Sequence, residues 1–246
     1  MHQLELSVVM PCFNEADAID ALLREWLTFL KQNIPSSELI VVNDGSSDGT
    51  GRILDRLRKE FPRLRVIHQL NIGHELAVRR GYDAARGTYI CQVDSDGRYE
   101  ISDFERLWAA REGMAAVLGA RTHRLDSLFC QVFAYILRRS IQWAFHLEWK
   151  DPNVPFRLMR RDRVQGYLRE IPSSTQAVNL LLACFLKRDT PALCSEVSVP
   201  FRLRTRGLRR TKGLSRNIRL GARVLSEIAF HRLRAQDSKS LVLQEN

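Results

Sequence analysis

Short apolar runs and amphipathic stretches alternate along the first half of the chain. Leu4–Met10 is a largely apolar run with the length of a buried strand. Ala16–Gln32 then sets Ile19, Leu22, Leu23, Trp26, Leu27 and Leu30 at helical spacing, which predicts a helix with one buried face. The pairing repeats: a strand at Glu38–Val42 and a helix over Thr50–Phe61, a strand at Arg65–His68 and a helix over His74–Ala85. A strand at Thr88–Val93, a helix over Ile101–Glu112 and a fifth strand at Ala115–Gly119 complete the series. Apolar strands separated by helices predict an α/β fold: a mostly parallel sheet flanked by helices on both faces. Right-handed crossovers follow, and ligands of such sheets sit beyond the carboxyl ends of the strands.

After Ala120 the rhythm changes. Asp126–Leu147 is a long helical pattern rich in aromatics, and Asp151–Met159 reads as a loop leading into a short strand. Helices over Asp162–Leu168 and Thr175–Leu186, a strand at Ala192–Phe201 and a basic helix over about Gly213–Leu233 are expected next, before a polar tail. The long helix has two readings. Its stripe of Leu128, Phe129, Val132, Phe133, Ile136, Trp143 and Phe145 packs on the sheet or a partner subunit, or it lies in a membrane interface with Arg138 and Arg139 snorkelling.

Charge sharpens the picture at the C-terminus. The 246 residues carry 38 Lys and Arg against 28 Asp and Glu, a net charge of +10. Between Arg202 and Arg234 the only acid is Glu227. Such a segment favours anionic partners. No zinc, helix-turn-helix or aromatic-interleaved basic pattern points to nucleic acid. The five cysteines form no CxxC pair, and Cys12, Cys91 and Cys184 sit in apolar runs, as buried thiols of a reducing compartment do. No signal pattern opens the chain, and no apolar stretch reaches the roughly 18 residues of a membrane span. These features predict a cytoplasmic protein at most peripheral to a membrane.

Chemistry concentrates in three loops after predicted strands: Pro11-Cys12-Phe13-Asn14-Glu15, Asn43-Asp44-Gly45-Ser46-Ser47-Asp48-Gly49-Thr50 and Asp94-Ser95-Asp96-Gly97. Each alone is explained by turn and capping chemistry. Three in register on one sheet edge point to a ligand site. Asp94 and Asp96 form a like-charge pair that a hard divalent cation relieves, so Mg²⁺ or Mn²⁺ bridging these carboxylates and substrate phosphates is the predicted cofactor.

With these motifs the chain resembles the polyprenyl-phosphate glycosyltransferases, the dolichyl-phosphate mannose synthase-like branch of the inverting family 2 enzymes with the GT-A (Rossmann-like) fold. The resemblance covers about residues 4–210. It rests on Pro11–Glu15, Val42–Thr50, Asn71-Ile72-Gly73 with Ala77–Gly81, and Asp94–Gly97. Gly119-Ala120-Arg121, Asp151 with Phe156-Arg157, and Arg204 with Gly207 add to it. It implies a catalytic domain over residues 1–210 and a basic helical extension over 211–246. It also implies that Pro11, Asn14, Glu15 and Asn43 border the nucleotide and that Asp44 bonds its base. Asp94 and Asp96 would face diphosphate and metal, and Arg121, Arg157 and Arg204 would meet phosphates. Arg98 departs from the pattern, because many relatives carry Gln there. It either points away or contacts the diphosphate and takes part of the metal's charge role.

The implied partners are a nucleotide-sugar donor and a polyprenyl phosphate acceptor at a membrane surface, with a homo-oligomer or an anchoring partner open. A phosphate acceptor is already mostly dianionic at neutral pH and needs cations rather than a base. Transfer to a sugar or lipid hydroxyl, nucleic-acid binding and a non-catalytic relative are the alternatives.

Overall fold

A computed structural model of the chain describes residues 3–122, 128–200, 202, 225–227 and 229, with residues 128–131, 133 and 134 described by their backbone. Seven strands form one sheet: β1 (Leu6–Cys12), β2 (Ser37–Asp44), β3 (Leu64–Gln69), β4 (Tyr89–Val93), β5 (Ala116–Thr122), β6 (Phe156–Arg160) and β7 (Cys194–Pro200). Their order is β3-β2-β1-β4-β6-β5-β7. The helices are α1 (Ile19–Asn33), α2 (Thr50–Glu60), α3 (His74–Ala84), α4 (Ile101–Ala109), α5 (Leu128–Phe145), α6 (Arg161–Glu170) and α7 (Val178–Asp189). The alternation read from the sequence is therefore present, with boundaries shifted by a few residues.

β1 is buried along its whole length, as is β2, and both pair in parallel at the middle of the sheet. The apolar face of α1 covers them, and Trp26 meets Phe104 of α4 edge-on at 5.5 Å. α3 lies close on β1 because Gly81 faces it: a Cβ there would stand 2.2 Å from Val9 Cγ1. α7 is apolar nearly all round and buried through Leu186, as an interior helix is.

Strand direction was not legible from periodicity. β6 runs antiparallel to both β4 and β5, with Val93 opposite Phe156 and Leu118 opposite Arg157. Reversal puts the start of β6, and the loop before it, at the carboxyl ends of β4 and β5. Asp151 thereby arrives at the same edge as Asp94.

At the opposite edge a buried polar cluster is closed on itself. Ser7 Oγ donates to Glu38 Oε1 at 2.7 Å and accepts from the amides of Arg86 and Gly87, while Arg65 reaches Glu38 Oε2 at 2.7 Å.

α5 buries Leu137 and Ile141 and leaves Val132, Tyr135, Ile136 and Trp143 exposed, Trp143 at 59%. Of the stripe given two readings above, Val132, Ile136 and Trp143 thus face out, near exposed Arg138 and Arg139. Of the basic helix expected over Gly213–Leu233, Leu225–Glu227 and Ala229 are described and helical; the rest lies outside the described residues. Glu227 accepts from Thr175 Oγ1 and, at 3.2 Å, from the amide of Gln176. Cys12, Cys91 and Cys184 are buried free thiols, and burial raises the pKa of each, that of Cys184 to about 12.

Candidate active site

The loops after β1 and β2 are zipped together by side chain to backbone bonds. Asn14, in the left-handed region at φ 55°, accepts from Ser47 N at 2.8 Å, and its own amide donates to Ser46 Oγ at 2.9 Å. The Glu15 amide donates to Thr50 Oγ1 at 2.8 Å. Asp48 accepts from Ala16 N at 3.2 Å and from Thr50 N at 2.9 Å. Burial alone would raise the Asp48 carboxyl, and the bonds from Thr50 and Ala16 outweigh it and hold its pKa below the usual range. Asn43, buried, accepts from Ser46 N at 3.1 Å and lies 3.0 Å from His68 Nδ1. Pro11 is buried within β1. The turn chemistry expected of these loops is real, and it shapes the edge of the sheet.

Asp44 is 4% exposed and gathers the next loop. It accepts from Gln69 Nε2 at 2.8 Å and from the amides of Ile72 and Gly73, each at 3.0 Å. Gly45 makes this possible: at φ +67° a Cβ would stand 2.5 Å from Asn71 N. Residue 74 begins α3, and its ring Nε2 lies 2.9 Å from Asp94 Oδ1. Asp44 and Asp94 are thus joined through two consecutive residues, Gly73 and His74. Burial pushes the His74 ring down, but Asp94 and then Glu75 outweigh it and lift its pKa to about 10.

The acidic loop after β4 turns at Gly97, φ 71°. Asp96 is met by Arg98, whose Nε lies 3.1 Å from Asp96 Oδ2. Arg98 therefore points into the loop rather than away. Below, Tyr99 stacks on Phe156 at 4.4 Å. Burial raises the Tyr99 phenol; Arg121 opposes this, and Asp94, Asp151 and Asp96 add to it. Arg121 grips Asp151 with two bonds of 2.5 and 2.9 Å, both side chains largely shielded.

Arg157 departs from its expected place. It is fully buried, and its guanidinium donates to the carbonyls of Val154, Asn179 and Pro152. Its donors are spent on main chain beneath the site, because residue 157 pairs inside the sheet and its side chain enters the interior. Arg204 lies outside the described residues.

The structure adds residues that the motifs did not mark. Glu75 accepts from Asn179 N at 2.9 Å at the start of α7. The Tyr82 hydroxyl lies 2.7 Å from Gln92 Oε1 and 2.9 Å from Asn179 Oδ1. Glu75, Asn179, Tyr82, Gln92 and Arg157 form a buried polar floor under His74 and Asp94. A polar residue inside an apolar run, as at Gln92 and Asn179, was the available signal.

Among the described residues no group of three or more His, Cys, Asp or Glu is poised for a metal. Two partly exposed carboxylates on one loop, Asp94 at 21% and Asp96 at 20% for their side chains, fit a hard cation that takes its other oxygens from water and phosphates. They do not make an all-protein cage.

Comparison with known proteins identifies the fold and the family. Glucosyl-3-phosphoglycerate synthase from Mycobacterium tuberculosis, solved with Mn²⁺, UDP-glucose and phosphoglyceric acid, superposes with a TM-score of 0.68 at 18% identity, covering 93% of this chain and 79% of that one. The fold is GT-A-like. A dolichyl-phosphate beta-glucosyltransferase of Dictyostelium discoideum is 30% identical over 179 residues, 64% of this chain and 54% of the relative. An undecaprenyl-phosphate 4-deoxy-4-formamido-L-arabinose transferase of Yersinia enterocolitica is 30% identical over 190 residues, 76% of this chain and 58% of the relative. The chain spans a little over half the length of these two curated relatives. The family model of glycosyl transferase family 2 matches residues 7–162, the stretch that carries all three loops, and the chain belongs to that family.

Proposed function

We propose that this chain transfers a sugar from a nucleotide-diphosphate sugar to a polyprenyl phosphate at a membrane surface, with inversion at the anomeric carbon. The observation that carries the reading is that Asp44 and Asp94, at the carboxyl ends of two strands, are tied to consecutive residues, Gly73 and His74. Relatives named for dolichyl and undecaprenyl phosphates support the acceptor class.

In this reading residues 1–210 are the catalytic domain and 211–246 a basic extension. Pro11, Asn14, Glu15, Asn43 and Asp44 shape the nucleotide side. Asn14 and Asp48 fix the loops, and Asp44 holds residues 72–73 against the base. Asp94 and Asp96 hold Mg²⁺ or Mn²⁺, which when bound supplies Lewis-acid stabilisation of the departing diphosphate. His74 orients Asp94. Arg121, fixed by Asp151, and Arg98 supply positive charge toward phosphates. Arg157 braces the floor from below. A dianionic acceptor needs no proton removed, so the chain has to hold it in line with the anomeric carbon.

Among the described residues no helix is long and apolar enough to cross a membrane. The outward face of α5, with Val132, Tyr135, Ile136 and Trp143 on either side of Arg138 and Arg139, suits contact with the cytoplasmic leaflet, alone or beside an anchoring partner or second copy.

The test incubates the protein with radiolabelled UDP-, GDP- and TDP-sugars and polyprenyl phosphate in anionic vesicles, with and without EDTA. An organic-soluble product of inverted configuration is expected, lost on chelation. Transfer to free sugar hydroxyls with none to polyprenyl phosphate would overturn the acceptor, and a rate untouched by EDTA would overturn the essential metal.

A further inference from the structure

Both carboxylates of the acidic loop already have a basic side chain of this chain against them, and the two come from different places. Asp94 is held by His74, which arrives on α3 and whose Nδ1 lies 3.6 Å from Glu75. Asp96 is held by Arg98, two residues along the same loop. The Arg98 Nε lies 3.1 Å from Asp96 Oδ2, and the Arg98 amide donates to Asp96 Oδ1 at 3.3 Å. Arg98 thus engages both oxygens of one carboxylate, one by charge and one by backbone. The Arg98 side chain is 36% exposed, so part of it already faces solvent.

A divalent cation at Asp96 needs the oxygens that Arg98 engages. A guanidinium and a metal ion within a few ångströms of one carboxylate repel each other, and the site is partly shielded from water, so screening is incomplete. A guanidinium stays charged at any ordinary pH and cannot relieve the conflict by losing a proton. It has to move. Once displaced it has need of an anion, and the diphosphate of a nucleotide donor is one.

We propose that Arg98 is a built-in competitor of the divalent cation for Asp96. It neutralises that carboxylate in the free protein and sets the metal concentration at which Asp96 changes partner. Nucleotide diphosphate favours the exchange by receiving the displaced guanidinium, so metal and nucleotide bind with positive coupling. The proposal rests on the reading of Asp94 and Asp96 as the metal-holding pair.

Mn²⁺ titration of the whole chain, followed by the electron paramagnetic resonance of free Mn²⁺, tests it without any turnover. Four proteins are compared: the unaltered chain, Arg98→Gln, Arg98→Lys and Asp96→Asn, each alone and with UDP or GDP. Melting curves without metal check that each variant is folded. Arg98→Gln is expected to bind Mn²⁺ roughly tenfold more tightly in the absence of nucleotide. Arg98→Lys, which keeps the charge, should stay close to the unaltered chain. Added nucleotide should tighten Mn²⁺ binding more in the unaltered chain than in Arg98→Gln. Asp96→Asn should weaken binding roughly tenfold or more. Weak binding by Asp96→Asn together with unchanged or weaker binding by Arg98→Gln would overturn the competition and leave the metal pair standing. Asp96→Asn matching the unaltered chain, or no Mn²⁺ bound by any of them, would overturn the metal pair and the competition with it.

Discussion

The two ends of the sheet treat charge in opposite ways. At the amino end Glu38 is 4% exposed and closed in by Ser7, Arg65 and the amide of Arg86. Ser7 comes from β1 and Arg86 from the turn after α3, while Arg65 on β3 is tied as well to the Ala84 carbonyl at 2.9 Å. At the carboxyl end Asp94 and Asp96 are about one-fifth exposed, and their partners His74 and Arg98 are each 36% exposed. Those partners are side chains that reach solvent. Burial makes charge structural; partial exposure makes it available to a ligand. The same sheet supplies both, because its amino edge is sealed by short connections and its carboxyl edge carries the longer loops.

This contrast breaks first at the acidic loop. Asp94→Asn is expected to lower kcat/KM for sugar transfer by roughly 100- to 1,000-fold while leaving the urea midpoint nearly unchanged. A comparable loss of folding stability would mean that the carboxyl end is structural too. Glu38→Ala should behave in the reverse sense, costing about 3 kcal/mol in urea unfolding with activity per folded molecule retained. Arg157→Met tests the floor between the two ends. It strands three carbonyls and should cost about 2 kcal/mol, measured in the same way, with a smaller effect on nucleotide affinity than Asp94→Asn has on transfer.

The outward face of α5 sharpens the picture further. Trp143→Glu should reduce flotation with anionic vesicles roughly tenfold and leave the melting temperature unchanged; unaltered flotation would detach α5 from the membrane. The smallest effect belongs to Asp48. Its folded carboxyl is held low, so its contribution is present above the unfolded value near pH 4 and is lost as pH falls through the folded value. Asp48 is exposed, which limits the contribution to less than about 1 kcal/mol. Asp48→Asn should therefore lower the urea midpoint slightly at pH 7 and hardly at all at pH 3.

Periodicity was enough for the alternating strands and helices, because burial on a repeating face leaves its mark on neighbouring residues. The three loops were legible for a related reason: Asn14, Asp44, Asp48 and the Asp94–Asp96 pair follow directly on apolar strands, and a polar cluster there has a small set of uses. α5 was less legible, since an apolar helical stripe looks the same whether it faces a core or a lipid surface. The burial of Arg157 was not legible, because a cation after a predicted strand start carries no sign of which way its side chain turns.

By itself the sequence determined the α/β alternation, the polar loops after the strands and the resemblance that family membership bears out. The tertiary structure alone decided that β6 runs backwards and brings Asp151 to Arg121, that Gly73 and His74 join Asp44 to Asp94, and that Arg98 folds onto Asp96. Strand direction and partner choice depend on contacts between residues far apart along the chain. A local pattern of polar and apolar positions records burial, but it does not record which distant group will satisfy a buried charge.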